Sequence, residues 1–436
     1  MILFFITMSM SEHFFPCIYI NLQLQINILN RTALYISYDG LTDPLGQSQV
    51  LPYLEGLSKR GIQFYIISFE KNERFNQLKE TIESRCNAAG ITWIPLMYTK
   101  NPPLISTVLD LRKMRRLAFK LHREQEFDVV HCRSDLPALI GHKLQKKGVK
   151  FIFDMRGFWA DERVEGKIWN LKNPIFKWAY NFFKKKELAF FRDADAVISL
   201  TKNGKNEILS WKELKDEPPH IQVIPCCVDL DKFDPNKIEK FEVAEVKRDL
   251  KIDNSDFILG YVGSIGTWYM LDEMIDFYHS IRERYKTPRF LFVSGESEST
   301  LKQKATEKGI PNEEIVVTSV SHSAVPLYLS VFDFAIFFIR PTFSKKASSP
   351  TKQGELMALG IPIICNAGVG DTDEIIEEYK AGEIISNLNG ENYTQTPLDS
   401  NLYDVSVIRK GAEEVYSLEK GVEKYYEVYR FVTGNI

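Results

Sequence analysis

Basic residues are missing from the start of this 436-residue chain: no Lys or Arg precedes Arg31. A secretory leader needs a basic segment ahead of its apolar one, so MILFFITMSM followed by SEH does not read as a signal. Nor does it supply the roughly 20 unbroken apolar residues of a membrane span, and no later window does either. Residues 1–31 therefore read as an extension, disordered or wrongly assigned upstream sequence, with an N-terminal membrane anchor as the lesser reading. The six cysteines form no C-x-x-C pair and no Cys/His cluster at zinc spacing, which excludes a disulfide framework and points to a reducing compartment without a structural metal. An excess of positive charge is absent as well: 55 basic residues face 58 acidic ones, for a net charge of -3, so nucleic acid is not a favoured partner. No short-period repeat is present, which excludes a solenoid.

What is present is a long alternation. Runs rich in Ile, Val, Phe and Tyr (33–38, 64–69, 91–96, 127–132, 150–155, 196–201 and 221–225) alternate with stretches of helical spacing such as QVLPYLEGLSKRG and STVLDLRKMRRLAFKLHREQ. Strand and helix in turn predict a parallel, doubly wound α/β sheet. The charged, glycine-free stretch 236–256 breaks the rhythm and reads as a linker. Strand candidates then resume at 257–263, 288–295, 314–319, 332–339 and 361–366. Two α/β domains are expected, and a chain of this length exceeds what one core usually serves. Ligands of such sheets sit beyond the carboxyl ends of the strands, so two facing domains would enclose a cleft.

The residues just after each strand are the candidates for chemistry. In SSPTKQGELMALGIP, Ser349 suits an N-cap, Pro350 the first helical position, and Gly360 with Pro362 a stop, which predicts a helix over about 350–359. Its first amides, with Thr351 and Lys352, form an anion site, and Glu355 lies on the same face to accept sugar hydroxyls. A capped surface helix with an i,i+3 ion pair explains the stretch equally well. In GYVGSIGTWYM, Gly263 and Gly266 let the backbone approach a pyrophosphate or a sugar, or simply make a tight turn. HCRSD and DMRGFWADE bring Arg133 and Arg156 to neighbouring strand ends, where guanidinium forks bind phosphate. Asp154, Asp161 and Glu162 would anchor them or accept a proton, or form a network bracing the loop. His131 reads more readily as a packed residue than as a catalyst, and Trp159 as a sugar platform or a core cover. The aromatic and basic segment 173–191, with Lys177, Lys184, Lys185 and Lys186, would dock on an anionic membrane or present a solvated basic face.

With these residues in view, the chain from about Ala33 onward resembles the retaining glycosyltransferases of family four, which have the two-Rossmann-domain GT-B fold. The resemblance rests on YDGLTDPLGQSQVLPYL, FDMRGFWADE, RDADAVISLT, VIPCCVD, GYVGSIGTWYMLDEM and SSPTKQGELMALGIPIICNAGVGD in one order. It implies an acceptor domain over 32–240, a nucleotide-sugar domain over 241–415, and a final segment, 416–436, whose helix crosses back to the first domain. It implies donor contacts from Gly263, Ser264, Gly266, Arg340, Ser349, Thr351, Lys352 and Glu355. Arg133, Arg156 and Lys352 would serve catalysis, and Gly46, His131, Asp154, Trp159, Asp161 and Glu162 the acceptor side.

Departures from the family pattern are explicit. Of its two spaced glutamates, Glu355 matches the ribose-reading one and Ala347 replaces the sugar-reading one. Ser264 stands where many members have an Arg for the diphosphate, no Lys follows it, and Arg133 and Arg156 stand where relatives have histidines. The expected activity is transfer of a sugar from a UDP- or GDP-sugar to a glycan or lipid-linked acceptor in cell-surface polysaccharide synthesis, at the cytoplasmic face of the membrane. No cofactor is expected, and no metal, since no Asp-x-Asp pair stands in a convincing place for one. A non-hydrolysing nucleotide-sugar epimerase and a non-catalytic nucleotide-sugar-binding subunit are the alternatives.

Overall fold

A computed structural model of the chain describes residues 30–102 and 104–434, so the N-terminal extension lies almost wholly outside the described residues. Seven strands, β1 (Arg31–Ser37), β2 (Ile62–Glu70), β3 (Thr92–Met97), β4 (Val129–Arg133), β5 (Lys150–Asp154), β6 (Ala196–Ser199) and β7 (Ile221–Val223), form one parallel sheet in the order β3-β2-β1-β4-β5-β6-β7. Six more, β8 (Phe257–Val262), β9 (Pro288–Val293), β10 (Ile315–Thr318), β11 (Phe334–Phe337), β12 (Ile363–Asn366) and β13 (Gly382–Ile385), form a second in the order β10-β9-β8-β11-β12-β13. These are two Rossmann-like α/β sheets with helical connections, the doubly wound class that the alternation predicts. Inner strands such as β4, β8, β11 and β12 are buried on both faces, as parallel strands covered by helices must be, while the edge strands β3 and β10 are largely half-buried; β8 pairs with β9 from Phe257 opposite Pro288 to Val262 opposite Val293.

By contacts the described chain divides into two compact units. One holds the residues up to His131 with 144–150 and 426 onward; the other holds 132–143 and 151–425. In the first, the interior is built from Leu34, Ile36, Phe64 and Ile66. The end of the last helix, Leu418–Val432, belongs to it: the Tyr429 ring meets Phe64 edge-on at 5.9 Å, and its hydroxyl lies 3.0 Å from His131 Nδ1. The second unit contains the larger apolar cluster, which runs from Val228 to Tyr416 around β8–β12.

Three local expectations differ from what is observed. The stretch read as a linker carries a helix, Lys240–Asp249, started by a reciprocal capping box between Glu239 and Glu242 and anchored by buried Val246. The edge strand β13 has only four residues and opens on Gly382 at φ 144°, so no apolar run announces it. The helix of the SSPTKQGELMALGIP stretch spans Thr351–Ala358, with Pro350 at its N-cap and no side-chain cap. Ser349 does not cap it because its hydroxyl oxygen accepts the Cys226 amide at 3.1 Å. Among the described residues, no helix is long and apolar enough to cross a membrane.

Candidate functional site

At the end of β8 the chain turns through Gly263 (φ 97°) and Gly266 (φ 53°), conformations that exclude most side chains. The Gly263 amide donates to the Val293 carbonyl at 3.0 Å, and the Tyr261 hydroxyl donates to the Ser264 carbonyl at 2.8 Å. The turn is thereby held open rather than closed on itself, with Ser264 and Gly266 exposed. Beyond β11, Asn366 fixes the chain in both directions, accepting the Ile339 amide at 2.7 Å and donating to its carbonyl at 2.9 Å. Arg340 follows with an exposed side chain, and its amide donates to the Trp268 carbonyl at 3.0 Å. β8 and β11 are neighbours at which the strand order changes direction, the place where open α/β sheets bind ligands.

Lys352 points into this place. A Cβ added at Gly263 would come 3.6 Å from its Nζ, so the ammonium lies under the glycine turn. The side chain is only 7 % exposed and stacks on two aromatic faces, 3.9 Å from the Tyr261 ring centroid and 3.7 Å from that of Tyr269. Its Nζ has no hydrogen-bond partner. Burial pushes its pKa well below the usual lysine range, and Glu355 opposes that only in part. A desolvated cation–π contact contributes about 2 kcal/mol, against a desolvation cost of several kcal/mol for a buried ion. The balance favours an anion as the missing partner. Glu355 is not that partner: no ion pair joins it to Lys352, and its carboxylate lies 3.9 Å from the His322 imidazole.

Arg156 approaches the same residues from the turn after β5, where it takes φ 58° ahead of Gly157 at φ 141°. Its Nη2 donates to Cys226 Sγ at 3.4 Å, and its Nη1 lies 3.6 Å from buried Asp154, which also accepts from Tyr425 at 3.2 Å. Burial first, then Cys226 and Glu355, raise the Tyr269 phenol. Arg156, Cys226, Ser349, Tyr269, Lys352 and Glu355 thus form one connected group, and Thr351 opens the helix that carries two of them. Lys345 repeats the stacking motif next door: its ammonium sits 3.8 Å over Trp268 and pairs with Glu162, while Glu165 accepts the Ser344 amide at 3.0 Å.

Other predicted residues are occupied elsewhere. Trp159 packs against Phe183 at 4.7 Å and Trp169 at 5.3 Å, with the Arg163 guanidinium over its ring, and so covers a core edge. Asp161 accepts from Tyr180 at 2.8 Å and pairs with Lys184 at 2.7 Å. Lys184 is therefore turned inward, away from the solvated face expected for 173–191. His131 packs on Tyr35 and Tyr429. Arg133 ends β4 as a buried residue, and Gly46 is a packing glycine, since a Cβ there would meet the Gly40 carbonyl at 2.1 Å. Tyr261, Tyr269, Cys226 and Lys345 escaped sequence reasoning, and the one available signal was the adjacent Trp268–Tyr269 pair after the glycine turn.

Position 347 has no room for a carboxylate. Ala347 is fully buried, and a Cβ on Gly204 would come 2.9 Å from its own Cβ. The Thr201 hydroxyl closes the contact by donating to the Lys346 carbonyl at 2.6 Å. A cavity of about 560 Å³ opens beside the start of the helix Thr351–Ala358, lined among others by Thr201, Lys205, Ser349, Gln353 and Asp371. Among the described residues, no group of three or more His, Cys, Asp or Glu side chains is placed to hold a metal ion.

Residues 48–232 match the model of Glycosyltransferase Family 4, and residues 242–395 that of the glycosyl transferases group 1. No curated protein matches the chain. Among solved structures, a glycosyltransferase from Rickettsia africae superposes with a TM-score of 0.67 at 16% identity, covering 93% of this chain and 100% of its own. Anabaena HepE in complex with UDP and glucose gives 0.63 at 11% identity, with 92% and 99% covered. WaaG, a glycosyltransferase involved in lipopolysaccharide biosynthesis, gives 0.63 at 14%, with 91% and 99% covered. These are likenesses of the GT-B fold.

Proposed function

Because the chain belongs to the group 1 glycosyltransferases and is family-four-like, we propose that it transfers a sugar, with retention, from a UDP- or GDP-sugar to a glycan or lipid-linked acceptor. The setting of this reading is cell-surface polysaccharide synthesis at the cytoplasmic face of the membrane. The observation that carries it is the ammonium of Lys352, buried without an anion under the Gly263 turn. A diphosphate bound at that turn supplies the anion. Glu355, three residues along the helix, accepts the ribose hydroxyls. The UDP and glucose held by HepE, and the part of WaaG in lipopolysaccharide synthesis, are in keeping with this substrate class.

The chemistry then follows from charge. As the bond from the anomeric carbon to the diphosphate opens, negative charge grows on the leaving oxygen. Lys352, the Thr351 and Lys352 amides, and Arg156 on the far side of Cys226 are fixed in advance to stabilise it. The leaving oxygen takes the proton of the acceptor hydroxyl, and the acceptor oxygen bonds the anomeric carbon on the face the diphosphate leaves. Protein cations stand in this reading where other transferases use a metal ion.

The closed space at Ala347 favours a second reading, a subunit that binds a nucleotide sugar without turning it over. The epimerase reading lacks such support, because His131 is packed and the first sheet offers arginines where paired acid and base groups are needed. A thermal-shift panel of UDP- and GDP-sugars decides the donor, since a ligand at a hundred times its dissociation constant stabilises by about 2.7 kcal/mol. Release of free nucleotide on adding acceptor separates an enzyme from a binding subunit. No stabilisation by any nucleotide sugar, in a protein whose Lys352→Ala variant melts and behaves identically, would refute both readings.

A further inference from the structure

The helix Ile105–Gln125 buries only a narrow stripe, Ser106, Asp110, Met114 and Ala118, one residue in every four. Thr107, Leu111, Leu117, Phe119, Leu121 and His122 are half-buried, and the exposed remainder is ordered from apolar to basic. Ile105, Val108 and Leu109 are 59, 48 and 42 % exposed, and Met97 and Tyr98, at the end of β3, are also exposed. Further along the helix the outward positions are Arg112, Arg115 and Arg116. Across the helix six basic residues accompany two carboxylates, Glu124, which pairs with Lys120 at 3.8 Å, and Asp110, in a chain whose net charge is -3. Asp110 is buried and engaged by Thr99 and Lys113. Among the described residues no carboxylate pairs with Arg112, Arg115 or Arg116.

At 3.6 residues per turn, positions 105, 108, 109, 112 and 116 share one face. A helix with an apolar first turn and a basic remainder on one side is complementary to an anionic bilayer, with apolar side chains below the headgroups and guanidinium groups at the phosphates. We propose that this face is the membrane-docking surface of the protein, with anionic lipid as its partner. A soluble partner would need both a matching apolar groove and an acidic rim, whereas a bilayer supplies both layers at the right depth. Residues 1–29 are apolar but contain a single acidic residue, Glu12, and so cannot balance the arginines. The helix Pro174–Asp193 is the weaker candidate, since Lys184 is spent on Asp161 and Glu187 and Arg192 on Asp193.

The inference deepens the reading of a lipid-side transferase but stands on the charge and exposure of this helix, and its test needs no turnover. Sedimentation of the full chain with vesicles of phosphatidylcholine alone, or with an equal part of phosphatidylglycerol, reads it directly. The expected result is binding to the anionic vesicles only, weakening as salt is raised. The double variants Ile105→Ser/Val108→Ser and Arg112→Glu/Arg116→Glu should each lower partitioning at least about tenfold, at roughly fivefold per basic residue. Both change exposed side chains, and unchanged melting temperatures confirm intact folding. Trp178→Ala and deletion of residues 1–29 should leave binding as it was. Equal binding to neutral vesicles, no effect of either double variant, or loss of binding on Trp178→Ala or on the deletion would overturn the proposal. Sugar transfer in detergent-free solution by a non-binding variant would leave the catalytic reading intact.

Discussion

The Lys352 ammonium lies 3.7 Å from the centre of the Tyr269 ring, and seven residues earlier in the chain Lys345 lies 3.8 Å over the ring of Trp268. Two consecutive aromatics thus each carry a lysine, but the two lysines differ in charge balance. Lys345 has Glu162 as its counterion; Lys352 has none. The pair separates a structural cation from one held in readiness for a ligand.

Removing the unpaired charge should therefore strengthen the empty protein. Lys352→Met keeps the length and the contact with both rings while deleting the buried ammonium. We expect melting in the absence of ligand to indicate a gain of about 1–3 kcal/mol, the usual cost of an unsatisfied buried polar group. The same variant should lose stabilisation by any nucleotide. A variant less stable than the parent when empty would mean that the ammonium is satisfied.

Ligand binding should also take up a proton. Burial lowers the Lys352 pKa, so the empty site disfavours the charged form, and a bound diphosphate restores it. Affinity should then fall as pH rises above the lowered value toward the ordinary lysine range. Calorimetry in buffers of different ionisation enthalpy measures the uptake as the slope of observed heat against buffer heat. In Lys352→Met that slope should be flat.

How far the site was legible depends on which residue is considered. The glycine turn at 263–266 and the helix start at 351 were visible because turns and helix ends have local chemistry. The rings of Tyr261 and Tyr269 were not, since an aromatic in or just after a buried strand looks the same whether it faces a core or a cation. Ser349 has the composition of a cap but serves the Cys226 amide, a contact across 123 residues that no local rule contains. The helix Lys240–Asp249 was hidden because its capping box uses two glutamates in a stretch whose charge otherwise reads as a linker. Trp159 and Asp161 lie in the first turn of a short helix, Trp159–Glu165, and their partners Phe183, Tyr180 and Lys184 come from a later helix that no local rule connects to it.

Restoring a glutamate at position 347 should damage the protein rather than improve it. The added side chain would have to displace the helix Lys202–Ser210 at Gly204, and its carboxylate would enter a space without solvent. Overpacking costs about 1–3 kcal/mol, and burying the charge adds to that. Ala347→Glu should melt well below the parent and gain no turnover with any donor. If it instead folds as stably as the parent, the segment around 347 must open in solution.

The last prediction concerns pH and lies behind the site, where Asp161, Lys184, Glu187 and Asp135 are buried together. Lys184 pairs with Asp161 and Glu187, leaving three carboxyl groups to one ammonium. Burial, the main cause, pushes Glu187 up to about 7 and also raises Asp135, which Glu187 raises further. A carboxyl group whose pKa is higher when folded binds its proton more tightly in the native state. Its contribution is complete below the unfolded value near 4.3 and is lost as pH climbs through the folded value. Stability should therefore decline between about pH 5 and pH 8, opposite to the trend of a protein held by ionised carboxylates. Asp135→Asn removes one of the two raised groups without touching the Lys184 pair, so it should flatten the decline and raise the melting temperature most at pH 8. A wild-type protein whose melting temperature rises across this interval would show that the cluster is ionised throughout.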